Sequence, residues 1–561
     1  MDKRLSIALL LTALVVAVTP ILFPTPRRTP PPVVSGDSVA AASVESAAAP
    51  AITPITPVAP SAQADSAAVD STAVSTGAGT ATSGPVMTTV ASSKSAYQFS
   101  NLGAAPVSVS FGEYEQLAPG RTGKVVLAAP GTSLLSYALA IPGDTIPLGR
   151  ISFDLERSKS SDGAEVLTYR APVNGRTVSI SYTLVPDRYV IRTSGRVDGG
   201  TAASFLLIDL PPTLPATEAD TLGDLRTLAY SFKPTRDNAQ GIAFGKLDPG
   251  EKRLEPGPLA WAAVRNKYFV VGIVNPEGST FEEINLTGGA RTSKVATHGS
   301  ATIVKALKDG TFSFDLYAGP QQSTQLLAMG RDFDNVNPYG WSFLQPVVNP
   351  IAALVIKLLL WMHVTLSLSY GWVLVIFGVL IRIALWPLNQ GAMRSSLKMQ
   401  EIQPRLAEVQ KKYKDKPERQ REEMMKVYKE AGASPFTALS GCLPMLIPMP
   451  VLFALFFVFQ NTIEFRGVPF MWLPDISVKD PYYILPVLMG ASMFVLSWIG
   501  LRNAPPNPQA KMMMYMFPVM MTFVLANMAS GLNLYYTAQN IAALPQQWLL
   551  ARERLKARQR K

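Results

Sequence analysis

Cysteine, histidine and charge are all scarce in this chain of 561 residues. Its one cysteine, Cys442, cannot form an intramolecular disulfide, so any exported domain must be stable without one. The two histidines, His298 and His363, are far apart and have no cysteine cluster beside them. A metal site is therefore not expected, nor is a cofactor, and no phosphate-cradling GxxxxGKS loop occurs. Charged residues make up only 16%, against ~25% in soluble domains, while 48% of the chain is hydrophobic. Aspartate and glutamate are missing altogether from the apolar blocks 370–388, 437–461, 482–501, 512–528 and 531–550. This counts against a proton- or sodium-coupled carrier, which needs intramembrane acids or broken-helix ion sites.

What charge there is lies in a few places. The chain carries +11, and residues 1–4, 389–435, 502–511 and 551–561 together carry +12, leaving −1 for everything else. Basic residues beside apolar spans mark the cytoplasmic side of a membrane. Residues 5–23 run apolar behind MDKR, long enough to cross a ~30 Å hydrocarbon core. A cleaved signal peptide has the same basic-then-apolar signature. The length of the run, and Pro20, Pro24 and Pro26 where a small-residue cleavage site would lie, favour an uncleaved anchor over residues 1–28. With the five blocks above, this predicts a polytopic α-helical bundle of six spans with both termini in the cytoplasm.

Residues 29–96 are almost wholly Ala, Ser, Thr, Pro, Val and Gly, too little apolar surface to offset the entropy of ordering. They are expected to form a disordered linker. Residues 97–335 read as an all-β sandwich outside the membrane. In RTVSISYTLVPDRYVIRTSG, Val178, Ile180, Tyr182 and Leu184 alternate with polar residues, and Pro186-Asp187 supplies a turn. Comparable runs recur at KVVLAA, ASFLLIDL, LAWAAV, KYFVVGIV and GTFSFDLYAG. The aromatics Trp261, Tyr268 and Phe269 read as core, not as a sugar-stacking platform. Residues 336–369 are assigned to an amphipathic helix at the outer interface, with Trp361 near the headgroups.

Residues 391–432 read as a cytoplasmic helical hairpin too polar for lipid. Met399, Ile402, Leu406, Val409 and Tyr413 line one face of its first helix, and Pro404 is placed to bend it. Pro417 suits the first turn of its second helix, whose Met424 and Tyr428 face back. Such a hairpin serves either as a solvated topology anchor or as a lid or docking surface.

Arg382 sits inside GVLIRIALWPL, six residues before Leu388 and so ~9 Å from the helix end. One reading is snorkelling to the headgroups. The other follows from the missing acids: an arginine at a helix centre costs roughly 2.5–3.5 kcal/mol even on the lenient insertion scale. An unpaired charge facing the bundle then requires water or a transient partner. Asn533, Tyr535, Tyr536, Gln539 and Asn540 on the last span, with Gln460 and Asn461, are the available polar company. Six methionines between 512 and 521 give either an adaptable apolar face or ordinary packing.

The stretches VLIRIALWPL, SSLKMQEIQPRL, SGCLPMLIPMPVLFALFFV, DPYYILPVLMGASMF, KMMMYMFPVMM and SGLNLYY, in that order, resemble the YidC/Oxa/Alb family of membrane-protein insertases. The resemblance is to the bacterial type with a large periplasmic domain. It implies a five-span core enclosing a hydrophilic groove, joined to a periplasmic β-supersandwich. Arg382, Tyr536, Tyr535, Gln539 and Asn533 would line that groove, and Val524, Met520 and Phe456 a hydrophobic slide toward lipid. Val524 stands where the family has a substrate-contacting aromatic, and Gly378 where relatives can carry threonine. Met399, Ile402, Pro404 and Leu406 would belong to the family's cytoplasmic hairpin.

The implied activity is non-enzymatic insertion and folding of nascent inner-membrane proteins, alone or with the Sec translocon. The protein would act as a monomer among membrane lipids, with no catalytic residues. The basic tail 551–561 would meet either ribosomal RNA phosphates or anionic lipid. Two rivals remain at this point: a solute transporter or channel, and a structural or sugar-binding envelope protein whose β domain is the active part.

Overall fold

A computed structural model describes residues 85–129, 131–199, 204–291, 295–338, 345–387, 402, 405–414, 416–430, 449–502 and 508–559. The expected anchor at 5–23, most of the linker, Met399, Pro404, Cys442 and the first part of the block 437–461 lie outside the described residues.

The first strands form a four-stranded antiparallel sheet: β1 (Met87–Ala91), β2 (Ser95–Ser100), β3 (Ala105–Glu115) and β4 (Lys124–Leu127). Among the described residues the second sheet has fourteen strands. From one edge it runs β6 (Asp144–Pro147), β5 (Ser136–Ile141), β11 (Phe205–Asp209), β17 (Gly299–Ala306), β16 (Phe281–Gly288) and β14 (Lys252–Arg265). It continues through β15 (Phe269–Val274), β18 (Thr311–Pro320), β10 (Val190–Val197), β9 (Arg176–Leu184), β8 (Glu165–Val173) and β7 (Asp154–Lys159). The pair β12 (Ala229–Pro234) and β13 (Gln240–Ala243) branches from β14.

The alternation read from the sequence is the packing. Val178, Ile180, Tyr182 and Leu184 are buried on β9, and the Tyr182 hydroxyl lies 2.6 Å from the Ala104 carbonyl. β15 is buried along its whole length, as a near-continuous apolar run requires. Trp261, Tyr268 and Phe269 are core residues, and the Trp261 indole donates to the Arg331 carbonyl at 3.0 Å. One boundary moves. Strand structure begins at Met87, ten residues before the expected start, because β1 pairs with β2 and buries Thr88 and Val90. A segment of Thr, Ala and Val owes its order to that pairing, which composition cannot reveal.

Among the described residues eight helices follow, beginning with α1 (Gln345–Leu366), α2 (Tyr370–Ala384), α3 (405–412) and α4 (Pro417–Glu430). Then come α5 (Met449–Asn461), α6 (Ile484–Leu501), α7 (Pro508–Leu525) and α8 (Ser530–Gln559). By length and composition α1 and α6 can cross a membrane, while Tyr370–Ala384, Val451–Asn461 and Lys511–Leu525 are shorter apolar helices. The helix assigned to the interface covers Gln345–Leu366 of the expected 336–369. α8 is longer than the expected block 531–550: it continues through 551–559, so most of the expected tail is helical, with Arg552 lying 3.5 Å over the Trp548 ring.

α8 packs along α2 and α6, α7 lies against α6, and α5 against α1. Two of the helix glycines mark close approaches between helices. A Cβ on Gly378 would come within 3.1 Å of the Tyr535 carbonyl, and one on Gly490 within 2.0 Å of the Thr522 hydroxyl. The glycine at 378 therefore serves contact between α2 and α8. In the hairpin, Ile402 and Leu406 are buried and Val409 and Tyr413 half-buried. Gln420 donates to the Gln410 carbonyl at 3.2 Å, closing α4 back on α3.

The segment 462–481 between α5 and α6 plugs into the β domain. Ile463 joins the β core. Arg466, its side chain 5% exposed, reaches Glu218 at 2.8 Å and also donates to the Glu115 and Thr217 carbonyls. Glu464 accepts from the Ser323 amide at 3.3 Å, while its other carboxylate oxygen is buried without a partner. Burial pushes the carboxyls of Glu464 and Glu218 up, the latter against the pull of Arg466.

Candidate functional site

Arg382 lies in the last turn of α2, half-buried against α8. Its guanidinium donates to the Gln546 side-chain oxygen at 2.9 Å, and its Nε is buried without an acceptor. Gln546 is 2% exposed and donates in turn to the Trp386 carbonyl at 3.5 Å. Among the described residues no carboxylate lies within ion-pair distance of Arg382, so the charge is held by a neutral partner alone. One face of α8 makes this possible. Tyr535, Gln539 and Gln546 recur at intervals of four and seven residues, which superimposes them along the side facing α2. Near the other end of that face, Phe377 and Tyr535 meet at a ring separation of 5.7 Å. Tyr536, half-buried, sits edge-on to Tyr535 at 5.7 Å.

The sequence-predicted polar set divides between two faces. Asn533 donates to the Leu525 carbonyl at 3.0 Å and braces the turn joining α7 to α8. Asn540 donates to Ser492 of α6 at 3.1 Å. Both serve helix contacts other than the one with Arg382, because their spacing turns them toward α6 and α7. Gln460 and Asn461 end α5 where it enters the segment docked on the β domain. Gln546 was missed, although a glutamine pair inside an apolar helix, eleven residues past Tyr535, was a visible signal.

The residues expected to form a slide lie on two helices. Val524 is 41% exposed on α7, and Met520 is half-buried one turn earlier. Phe456 is half-buried on α5, edge-on to Phe457 at 5.1 Å. Among the described residues α5 and α7 share no extensive contact. The outer face of α7 carries Met512, Met513, Met516, Val519 and Phe523, all exposed. Tyr515 and Phe523 are exposed aromatics on that helix, and Phe523 stands one residue before the position expected from the resemblance.

Residues 88–353 match the family described as YidC periplasmic domain, and residues 361–558 the one described as 60Kd inner membrane protein. The membrane protein insertase YidC of Chlorobaculum tepidum is 33% identical over 434 residues, covering 72% of this chain and 71% of that protein. The chain belongs to the YidC insertase family. A second YidC, from Chlorobaculum parvum, is 32% identical over 72% of this chain and 71% of its own length. A solved structure described as an active YidC insertase with its first transmembrane domain resolved covers 82% of this chain and 92% of its own, at 17% identity and a TM-score of 0.33. As a YidC-family insertase, the chain is an inner-membrane protein with a large periplasmic β domain. The 462–481 segment and its Arg466–Glu218 pair join that domain to the helices.

Proposed function

We propose that Arg382 receives the polar flank of a nascent membrane protein entering from the cytoplasm. The supporting observation is a guanidinium half-buried between α2 and α8 with one neutral partner, Gln546, and an orphaned Nε. A charge in that setting gains most from a negative or strongly polar visitor, because low dielectric strengthens their attraction. The flank then crosses only part of the bilayer in dry surroundings. The apolar span leaves between α5 and α7, past Phe456, Met520, Phe523 and Val524. Net free energy comes from burying the span in lipid, without a catalytic residue or cofactor. Tyr535, Tyr536 and Gln539 shape the polar side of the path, and Asn533 supports it from the turn before α8.

In this reading there are six spans with both termini in the cytoplasm, and α1 lies at the periplasmic interface. The hairpin around Ile402 and Leu406, with Met399 and Pro404, and the basic end of α8 face the ribosome or anionic lipid. The protein acts as a monomer, alone or beside the Sec translocon. The test is insertion of a short, acidic-tailed single-span protein into liposomes holding only this protein, read by protease protection of the tail. Protection above empty liposomes, lost in Arg382→Ala, is the expected result. Full insertion by Arg382→Ala would remove the arginine from the mechanism, and solute flux without insertion would favour a transporter.

A further inference from the structure

A cleft of about 550 Å³ opens in the β domain, apart from the helices' polar face. Its floor is a row of hydroxyls. Ser181, Ser194 and Ser313 stand directly opposite one another on β9, β10 and β18, which puts neighbouring Cα atoms ~4.5–5.5 Å apart. Ser179 and Thr311 flank Arg196 in the same way two residues further along β10. The rest of the wall is built from Ser279, Thr280, Glu282 and Lys308.

Lys305, 3% exposed, lies at that wall. Its ammonium donates to the Asn275 side-chain oxygen at 2.5 Å, the Ser279 hydroxyl at 2.6 Å and the Thr280 carbonyl at 3.4 Å. All three acceptors are uncharged. Burial, helped by repulsion from Lys308 and opposed by Glu282, pulls Lys305 down to about 8, which leaves it mostly protonated at neutral pH. Arg196 is paired with Asp198 at 3.1 Å. Lys305 and Lys308 thus face a single lining carboxylate, Glu282. Burying a cation among neutral dipoles is costly unless a counter-charge joins it.

We propose that this cleft binds a small oxyanion, a phosphate or carboxylate carried on a hydroxylated body. Lys305 supplies the counter-charge, and the Ser181–Ser194–Ser313 row both donates to and accepts from the ligand's hydroxyls. The volume suits a small ligand. A neutral sugar fits less well, since Trp261 and Tyr268 are in the core and Phe312, beside the row, is 5% exposed. No stacking face is offered. Either a soluble sugar acid or a lipid-borne headgroup carries the required chemistry.

The experiment uses the full chain in nanodiscs of zwitterionic lipid, with glucuronate, inorganic phosphate and glucose as probes. Saturation-transfer NMR reads the sugars and ³¹P line broadening reads phosphate. Both anions should bind and glucose should not. Lys305→Met should weaken glucuronate at least tenfold. Because that residue is buried, the exposed-strand double variant Ser194→Val/Ser313→Val is the second arm, and it should weaken glucuronate by a similar factor. Displacement of glucuronate by phosphatidylglycerol in the disc would identify a lipid headgroup as the source, and its persistence a soluble anion. Failure of both anions to bind, equal binding of glucose, or unchanged affinity in the folded serine variant would overturn the proposal.

Discussion

Arg466→Met tests how the β domain is held. The arginine and Glu218 are 5% and 4% exposed at their side chains, so the substitution leaves a carboxylate buried without its cation. Removing one partner of a buried ion pair costs roughly 3–5 kcal/mol. The Glu115 and Thr217 carbonyls lose a donor as well. Glu218 can limit the damage by taking up a proton, which burial already favours. Methionine also retains apolar contact near the Phe269 ring. The lower end, about 3 kcal/mol, is therefore expected.

The loss should fall on docking of the 462–481 segment, since the pair links that segment to the β domain. Hydrogen exchange read by mass spectrometry on the full chain reports this directly. The relevant amides are Leu117, which donates to Thr217, Thr217, which donates to Asp224, and Ser323, which donates to Glu464. About 3 kcal/mol in the opening equilibrium corresponds to roughly a hundredfold faster exchange. Amides of β8 and β9 should exchange as in the wild type. Adding Glu218→Gln should recover part of the loss, as expected for residues in contact. A change below about threefold at the junction amides would show that the pair does not close it.

Four further outcomes are expected. Arg382→Ala should abolish insertion of acidic-tailed clients, and Gln546→Leu, which leaves the charge but removes its holder, should reduce it less; protease protection separates the two. Glu464, whose folded carboxyl is pushed up by burial, contributes docking stability at low pH that is lost as pH rises through its folded value. Glu464→Gln should flatten that dependence in exchange measured from acidic to alkaline pH. Gly490→Ala brings a Cβ onto the Thr522 hydroxyl and should cost ~1–3 kcal/mol of helix-bundle stability by overpacking, relieved by Thr522→Ala in detergent unfolding. Lys305 is disfavoured as a cation in the fold below about 8, and that penalty disappears toward 10.5. The stability difference between Lys305→Met and the wild type should therefore close by about 3 kcal/mol as pH rises over that range.

Local pattern carried much of the architecture. Val178, Ile180, Tyr182 and Leu184 on β9 were legible because a strand has a side-chain period of two, whatever it pairs with. Pro417 opened α4 as its fixed backbone angle allows. β1 was not legible, since its inward face is only Thr88 and Val90 and its order comes from pairing with β2. Asn533 and Asn540 shared with Tyr535 the property of being polar in an apolar helix, and only their contacts distinguish them. Asn540 meets Ser492, whereas the Tyr535 face meets α2.

From the order of residues alone came the β-rich domain followed by helices, the missing intramembrane acids and the isolation of Arg382 among apolar neighbours. These are properties of composition and period, which need no partner. The partner of Arg382, the division of α8 into two polar faces and the union of Arg466 with Glu218, 248 positions away, were decided by the folded chain. Such contacts depend on which helix faces meet and which loop reaches which strand edge, and a one-dimensional pattern does not encode distances in space.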